Sequence, residues 1–208
     1  MKALKTIFLG LFIHISIIGY GKQGNPKDLG IGMIFAIDAF ELLENGIPQN
    51  LFYSDINFKN NITNPEFIKP FLDKPDYALF HFICLERHTK YYKILINDTL
   101  EAFVESGKGF KYLTWEEVIK ESLGFIRLNR DENPIHIDSN SESDTIDYTC
   151  DADDFRAVDF KTIDNEFWVK IEFSNTCKSD CAEIYDKKNG WIRWREDKKL
   201  LIKMFFLC

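Results

Sequence analysis

The sequence lacks the short motifs that mark most catalytic sites. No Gly-x-Ser-x-Gly elbow, phosphate-binding loop, dinucleotide fingerprint or His-Glu-x-x-His helix occurs in its 208 residues. Four histidines leave few candidates for a general base. The 33 acidic residues are too many for spacing to single out a catalytic carboxylate pair. We therefore expect a protein that is not an enzyme and that needs no cofactor.

Proline, glycine and positive charge are also scarce. Six prolines and eleven glycines exclude a collagen-like or linker-like chain. The formal net charge of −7 argues against non-specific binding to nucleic acid, which needs a basic surface. In contrast, 45% of the residues are apolar and 15% aromatic, so the chain can bury a core and is not disordered as a whole. The length allows one large domain or two small ones.

The first 21 residues have the pattern of a signal peptide. Lys2 and Lys5 precede a mostly apolar run over residues 7–18, and the small residues Gly19 and Gly21 follow it. The run is short for a membrane-spanning helix, although an N-terminal anchor is the alternative. We therefore expect an exported protein, periplasmic or extracellular. Its mature chain would begin near Lys22 and have no stable membrane span.

Short apolar and alternating segments predict a mainly β fold. A tight turn at Asn97-Asp98 joins two of the predicted strands into a meander. Between two clusters of strands, Thr114 and Glu117 have the spacing of a capping box and predict a short helix that ends near Gly124. Residues 31–45 fit either a strand or a capped helix, and the sequence does not decide between them. The predicted strands cover residues 77–85, 91–97, 100–104, 155–160, 166–173, 190–195 and 200–206.

The negative charge is concentrated in one segment. Ten acidic residues lie between residues 131 and 159, and only Arg156 opposes them. Carboxylates are ligands that Ca²⁺ prefers, but the spacing does not match an EF-hand loop. A solvated loop is the favoured interpretation and a calcium site the alternative. The ten residues are Asp131, Glu132, Asp138, Glu142, Asp144, Asp147, Asp151, Asp153, Asp154 and Asp159.

Three of the five cysteines are candidates for a disulfide. Cys177 and Cys181 are close enough in sequence to close a tight loop with each other, and Cys150 can instead pair with either of them. Export would permit such a bond. A zinc site is the alternative, but it normally needs four ligands and two close pairs. Cys208 is expected to be free, frayed or in an intermolecular bond.

Cys84 lies near His81 and His88, which raises the alternative of a thiol-dependent hydrolase. A nucleophilic thiol needs a lowered pKa and an oriented imidazole. Cys84 instead lies within an apolar strand pattern, and His81, three residues before it, falls on the opposite face of an extended strand. We therefore expect Cys84 to be a buried structural thiol.

Three tryptophans on predicted strands are the candidate binding residues, together with a neighbouring arginine. The two-residue period of a strand places Trp191 and Trp194 on opposite faces, so one of them is expected in the core. An exposed partner would mark a binding surface, whereas core packing of the rings is the alternative. Trp168 lies on the preceding strand, and Arg193 adds positive charge. The candidate binding site is therefore Trp168, Trp191, Trp194 and Arg193.

The C-terminal part, over residues 129–206, resembles a bacterial SH3-like domain. Residues 133–135 and the serine-rich turn at 139–143 are similar to the opening strand and loop of that family. Residues 167–171 (FWVKI) resemble its central Trp-x-Lys-Val strand, and residues 189–194 (NGWIRW) resemble its closing Gly-Trp-Val/Ile segment. The upstream strand cluster resembles a second, more diverged copy.

The resemblance implies one or two small SH3-like β-barrels with a short helix between the strand clusters. The N-terminal β-rich domain would cover residues 22–128 and the C-terminal domain residues 129–208. Because the family usually binds peptides or cell-wall material, our first hypothesis is an exported, non-catalytic binding module for a peptide, glycan or protein. One alternative is a cell-wall or peptide hydrolase that uses Cys84 and a histidine. The other is a secreted inhibitor or immunity-type protein whose acidic segment blocks a basic partner.

Overall fold

A computed structural model describes residues 22–36, 51–74, 79–174 and 187–206. The predicted signal peptide lies outside the described residues, as do Cys177, Cys181 and Cys208. The described chain is mainly β with antiparallel sheets, as the sequence predicts, and no closed barrel is detected in it. None of its helices has the length and hydrophobicity that crossing a membrane requires.

The first seven strands form one antiparallel sheet. They are β1 (Lys22–Gln23), β2 (Gly32–Ala36), β3 (Leu72–Lys74), β4 (Leu79–Arg87), β5 (Tyr91–Leu95), β6 (Glu101–Glu105) and β7 (Phe110–Thr114). Their order is β1-β3-β4-β2-β7, and β5 and β6 extend from β4 as the predicted meander. The segment that the sequence left undecided contains strand β2, which packs Met33 and Ile34 into the interior.

A short helix, α1 (Trp115–Glu121), follows β7 and has the predicted capping box. The Thr114 hydroxyl accepts the backbone N–H of Glu117 at 3.2 Å, and the Glu117 carboxylate accepts the backbone N–H of Thr114 at 2.8 Å. Trp115, Val118 and Ile119 form its buried face. The cap and the apolar face together fix where the helix begins and which side packs inward.

The remaining strands form a six-stranded sheet and a separate pair. They are β8 (Gly124–Arg127), β9 (Ile135–His136), β10 (Thr145–Ile146), β11 (Arg156–Ile163), β12 (Glu166–Phe173), β13 (Lys188–Glu196), β14 (Lys199–Leu200) and β15 (Ile202–Phe205). The sheet order is β10-β9-β13-β12-β11, with β14 on β13, while β15 pairs with β8. Strand β8 precedes residue 129, the predicted start of the C-terminal domain, and it pairs with β15 near the end of the described chain.

The two halves repeat one connectivity. Each half contains five strands that can be matched in chain order. The first strand pairs with the fifth, the second with the third, and the third with the fourth. In residues 22–114, the N-terminal unit, these strands are β2, β4, β5, β6 and β7, and β2 also pairs with β4. In residues 124–206, the C-terminal unit, they are β8, β11, β12, β13 and β15. There the contact between first and second strands is a single bridge, Phe125 to Phe155, just before β11.

One hydrophobic cluster belongs to the N-terminal unit, and a second, the shared core, joins both units. Trp115 lies at the centre of the junction, where its Nε1–H donates to the carbonyl oxygen of Leu29 at 2.7 Å. Its ring centroid is 6.1 Å from that of Trp194 in the C-terminal unit. A buried aromatic side chain contributes roughly 1.5–3 kcal/mol. The helix therefore links the units by packing as well as by chain connection.

Candidate functional site on the C-terminal sheet

The structure buries all three candidate tryptophans. Trp168 is 0% exposed, Trp191 6% and Trp194 4%. Trp191 and Trp194 do point to opposite faces, as predicted: Trp194 packs against Trp115 in the shared core, whereas the Lys161 ammonium lies 4.7 Å above the centroid of the Trp191 ring. These three tryptophans therefore form no open aromatic groove.

Basic side chains surround two of these tryptophans on the face of the C-terminal sheet that is turned away from the shared core, which we call the outer face. Strand register places residues of neighbouring strands directly opposite one another, where their side chains are within contact range. Each of the two rows formed in this way has an indole ring between basic side chains. The rows are Lys161–Trp168–Arg193 and Lys170–Trp191–His136.

Arg193 has a fixed backbone and a loosely held guanidinium. The side chain of Asn133 accepts the Arg193 N–H at 3.0 Å and donates to the Arg193 carbonyl oxygen at 2.7 Å. In contrast, Nη1 of Arg193 lies 3.9 Å from Glu166 and 3.6 Å from Glu196. Partly exposed ion pairs at such distances contribute about 0–1 kcal/mol. The guanidinium can therefore exchange these partners for an anionic group of a ligand.

Trp168 carries an unused hydrogen-bond donor. Its Nε1 is buried and has no hydrogen-bond partner among the described residues. The ring of His136 stands perpendicular to the Trp168 ring, with centroids 5.4 Å apart. A buried donor that is left unpaired costs about 1–3 kcal/mol. An acceptor atom that reached this indole would remove that cost.

The connection over residues 128–155, which contains the short strands β9 and β10 and which we call the acidic loop, is fixed at its base. Asp153 is buried, and its carboxylate accepts hydrogen bonds from Nε and Nη2 of Arg127 at 2.8 and 2.9 Å. Arg130 approaches the same carboxylate at 3.3 Å. The Arg127 guanidinium also lies 5.2 Å from the centroid of the Phe155 ring. One of the ten acidic residues is therefore structural and ties the loop to β8.

The other nine acidic residues face solvent to a greater or lesser extent. Asp154 is half-buried, and the remaining eight are exposed. The described residues contain no group of three His, Cys, Asp or Glu side chains that could hold a metal ion. The calcium alternative thus has no support in the described part of the loop, which presents dispersed carboxylates.

Cys84 has the properties of the predicted structural thiol. It is a free, fully buried cysteine, and burial raises its pKa to about 12. His81 lies on the other face of β4, where its ring contacts Phe35 and Phe206, and burial lowers its pKa to about 3. A thiol that keeps its proton and an imidazole on the opposite face do not form a nucleophile and base. The predicted separation of Cys84 from His81 is confirmed.

Cys150 lies next to the segment that contains its candidate partners. It is 3% exposed, and its Sγ lies 3.6 Å from the carbonyl oxygen of Ser174. Ser174 directly precedes residues 175–186, which include Cys177 and Cys181 and lie outside the described residues. The pairing of Cys150 with one of them stays a prediction, and the position of its sulfur is compatible with it.

Sequence reasoning did not identify Lys161, Lys170 and Asn133 as parts of the site. Lys161 belongs to β11, which extends three residues beyond the predicted end and is followed by a turn, Asp164-Asn165, whose residues both have positive φ. Two such residues between alternating segments are a hairpin signal that could have set the register from the sequence. Asn133 joins β13 across 60 residues of chain, and no local pattern predicts such a contact.

Comparison with known proteins gives no indication of the function of this chain. No family model, no curated protein and no solved structure matches the chain.

Proposed function

We propose that the protein is an exported, non-catalytic binding protein built from two SH3-like units, which acts in the cell envelope or outside the cell. The repeated connectivity supports this architecture: an opening strand, a long loop, a three-stranded meander and a closing strand occur twice. In the C-terminal unit β8 takes the place of the opening strand. Residues 133–135, the predicted opening strand, then belong to the long acidic loop.

We assign ligand binding to the outer face of the C-terminal sheet. The observation that carries this assignment is the pair of rows in which Trp168 and Trp191 are flanked by basic side chains. Cations beside aromatic rings favour a ligand with both an anionic group and an apolar surface. The proposed ligand is therefore a peptide, glycan or protein segment that bears carboxylates.

The two alternative functions receive unequal support. A hydrolase that uses Cys84 would need the thiolate, and the pKa of about 12 keeps this buried thiol protonated. An inhibitor or immunity-type protein is favoured by a different observation, the exposed carboxylates of the acidic loop above its fixed base. Binding through that loop would select a basic partner and weaken with added salt.

A direct test measures binding of defined ligands to the purified protein. The panel contains an acidic peptide, its amidated uncharged version, a basic peptide, and a glycan with and without uronic acid groups. We expect binding of the acidic peptide or the uronic acid glycan, and loss of most of that binding in Arg193→Ala. Lys188→Ala is the matched control, since Lys188 is an exposed base of the same strand that lies opposite Phe173, on the other face.

Two outcomes would contradict the assignment. If the wild type and Arg193→Ala bound an acidic ligand with equal affinity, the outer face would be excluded as the binding site. Selective binding of the basic peptide would favour the acidic loop, and with it the inhibitor alternative.

A further inference from the structure

Among the described residues, one edge of strand β11 is paired with no other strand beyond Phe155. In the N-terminal unit the equivalent strand β4 is covered on the corresponding side by β2, through four residue pairs from Gly32–Cys84 to Phe35–His81. In the C-terminal unit β8 reaches only Phe155. No strand in the described part of the chain lies along this edge of β11 beyond that point. Six of the eight residues of β11 are exposed, including Val158 and Ile163.

The hairpin geometry shows which backbone groups face this edge. The two-residue turn at Asp164-Asn165 makes Ile163 and Glu166 a hydrogen-bonded pair, so the alternation continues along the strand. Asp159 and Lys161 therefore hydrogen-bond with β12, while the N–H and C=O groups of Phe160 and Thr162 point outward. The outward N–H of Phe160 donates to a side chain, the carboxylate of the adjacent Asp159, at 2.9 Å.

We propose that β11 pairs antiparallel with β11 of a second copy of this chain, with the two-fold axis at Phe160. In this register the two Phe160 residues exchange N–H···O=C bonds, because both point their backbone groups outward. Asp159 of each copy then lies directly opposite Lys161 of the other. Opposite charges in directly facing positions stabilise paired strands, and like charges destabilise them.

The charges select this register over its neighbours. An axis at Lys161 would bring two lysines face to face. An axis at Thr162 would set Lys161 opposite Ile163, so no charge pair would form. Only the axis at Phe160 places both Asp159–Lys161 pairs in facing positions, and it requires each Asp159 to release the N–H that it now holds.

The same strand limits how strong the dimer can be. A β-bulge between Ala157 and Asp159 shifts the register and ends the regular edge there. The pairing therefore involves few residues on each side and has the small area of a weak, concentration-dependent interface. A two-fold strand pair is closed, because each copy uses its only β11 and no third copy can add.

The test is a charge-swap experiment followed by sedimentation of the purified protein over a range of concentrations. Asp159→Lys alone makes both facing pairs Lys–Lys, and Lys161→Asp alone makes both Asp–Asp. Each single variant should dimerise roughly tenfold more weakly than the wild type. A mixture of the two variants should recover dimerisation, because every facing pair then joins a lysine to an aspartate.

The recovery in the mixture separates an interface effect from misfolding, since two misfolded variants would not restore each other. A wild-type protein that stays monomeric at all concentrations would overturn the proposal. So would dimerisation that neither single variant weakens, single variants that lose dimerisation without recovery in the mixture, or growth of open-ended oligomers.

Discussion

The two units share a connectivity and use it differently. In the N-terminal unit, β2 covers β4 through four residue pairs, and β6 is bridged by Tyr53. In the C-terminal unit the first strand contributes one bridge to the second, and the acidic loop carries nine acidic residues against one arginine. The comparison teaches that the same connectivity can pair the second strand with the first over four residues in one unit and over a single bridge in the other, where the connecting segment is acidic. We therefore assign binding to the C-terminal unit.

The largest expected effect contrasts a buried ion pair in the C-terminal unit with an exposed one in the N-terminal unit. Asp153→Ala leaves Arg127 buried without its charge partner, so we expect the free energy of unfolding to fall by about 3–5 kcal/mol. Glu101→Gln removes an exposed partner of Lys27 and Lys93 and should cost at most about 1 kcal/mol. Urea denaturation measures both. Equal effects would show that the acidic loop is not anchored by this pair.

The next effect concerns the predicted disulfide, which would fix the acidic loop to the β12–β13 connection. Unfolded, unreduced protein should contain three free thiols of the five, and Cys150→Ala should lower the free energy of unfolding by about 2–4 kcal/mol. Thiol titration in denaturant gives the count. Cys84, being buried, should react only after unfolding. Five free thiols in protein purified without reductant would contradict the disulfide.

A third effect, which depends on pH, tests the contact between the units. His81 packs between Phe35 of the N-terminal unit and Phe206 of the C-terminal unit, and burial lowers its folded pKa to about 3. The unfolded His81 has a pKa of about 6.5, so it takes up a proton at a higher pH than the folded protein does. The contribution of His81 to the free energy of unfolding is therefore fully present above about pH 6.5. This contribution is lost as the pH falls from there towards 3, by about 1.4 kcal/mol per pH unit.

The measurement compares the pH dependence of unfolding in the wild type and His81→Gln. The wild type should lose stability more steeply between pH 6.5 and 4, since Gln does not titrate. If the free energy of unfolding changed with pH equally in both proteins, His81 would be protonated in the folded protein, and the junction between the units would be accessible to water.

Local signals predicted the local structure well. The capping box of α1, the meander of the N-terminal unit and the burial of Cys84 all follow from residue spacing and strand periodicity. Contacts between distant residues were not predictable in this way. Lys161 of another strand lies over the Trp191 ring, and Asp153 binds Arg127, which lies 26 residues earlier in the chain. Neither fact leaves a pattern in the local sequence.

The central claim, that the outer face of the C-terminal sheet binds a carboxylate-bearing ligand, is tested most directly at the indole N–H groups. A two-dimensional ¹H–¹⁵N NMR spectrum resolves the side chains of tryptophan, and Trp115 is the internal control because its Nε1–H is already bonded to Leu29. During titration with an acidic peptide or uronic acid glycan, the Trp168 signal should move with saturation and the Trp115 signal should stay in place. Binding that shifts the acidic loop and leaves the Trp168 indole unchanged would contradict the account.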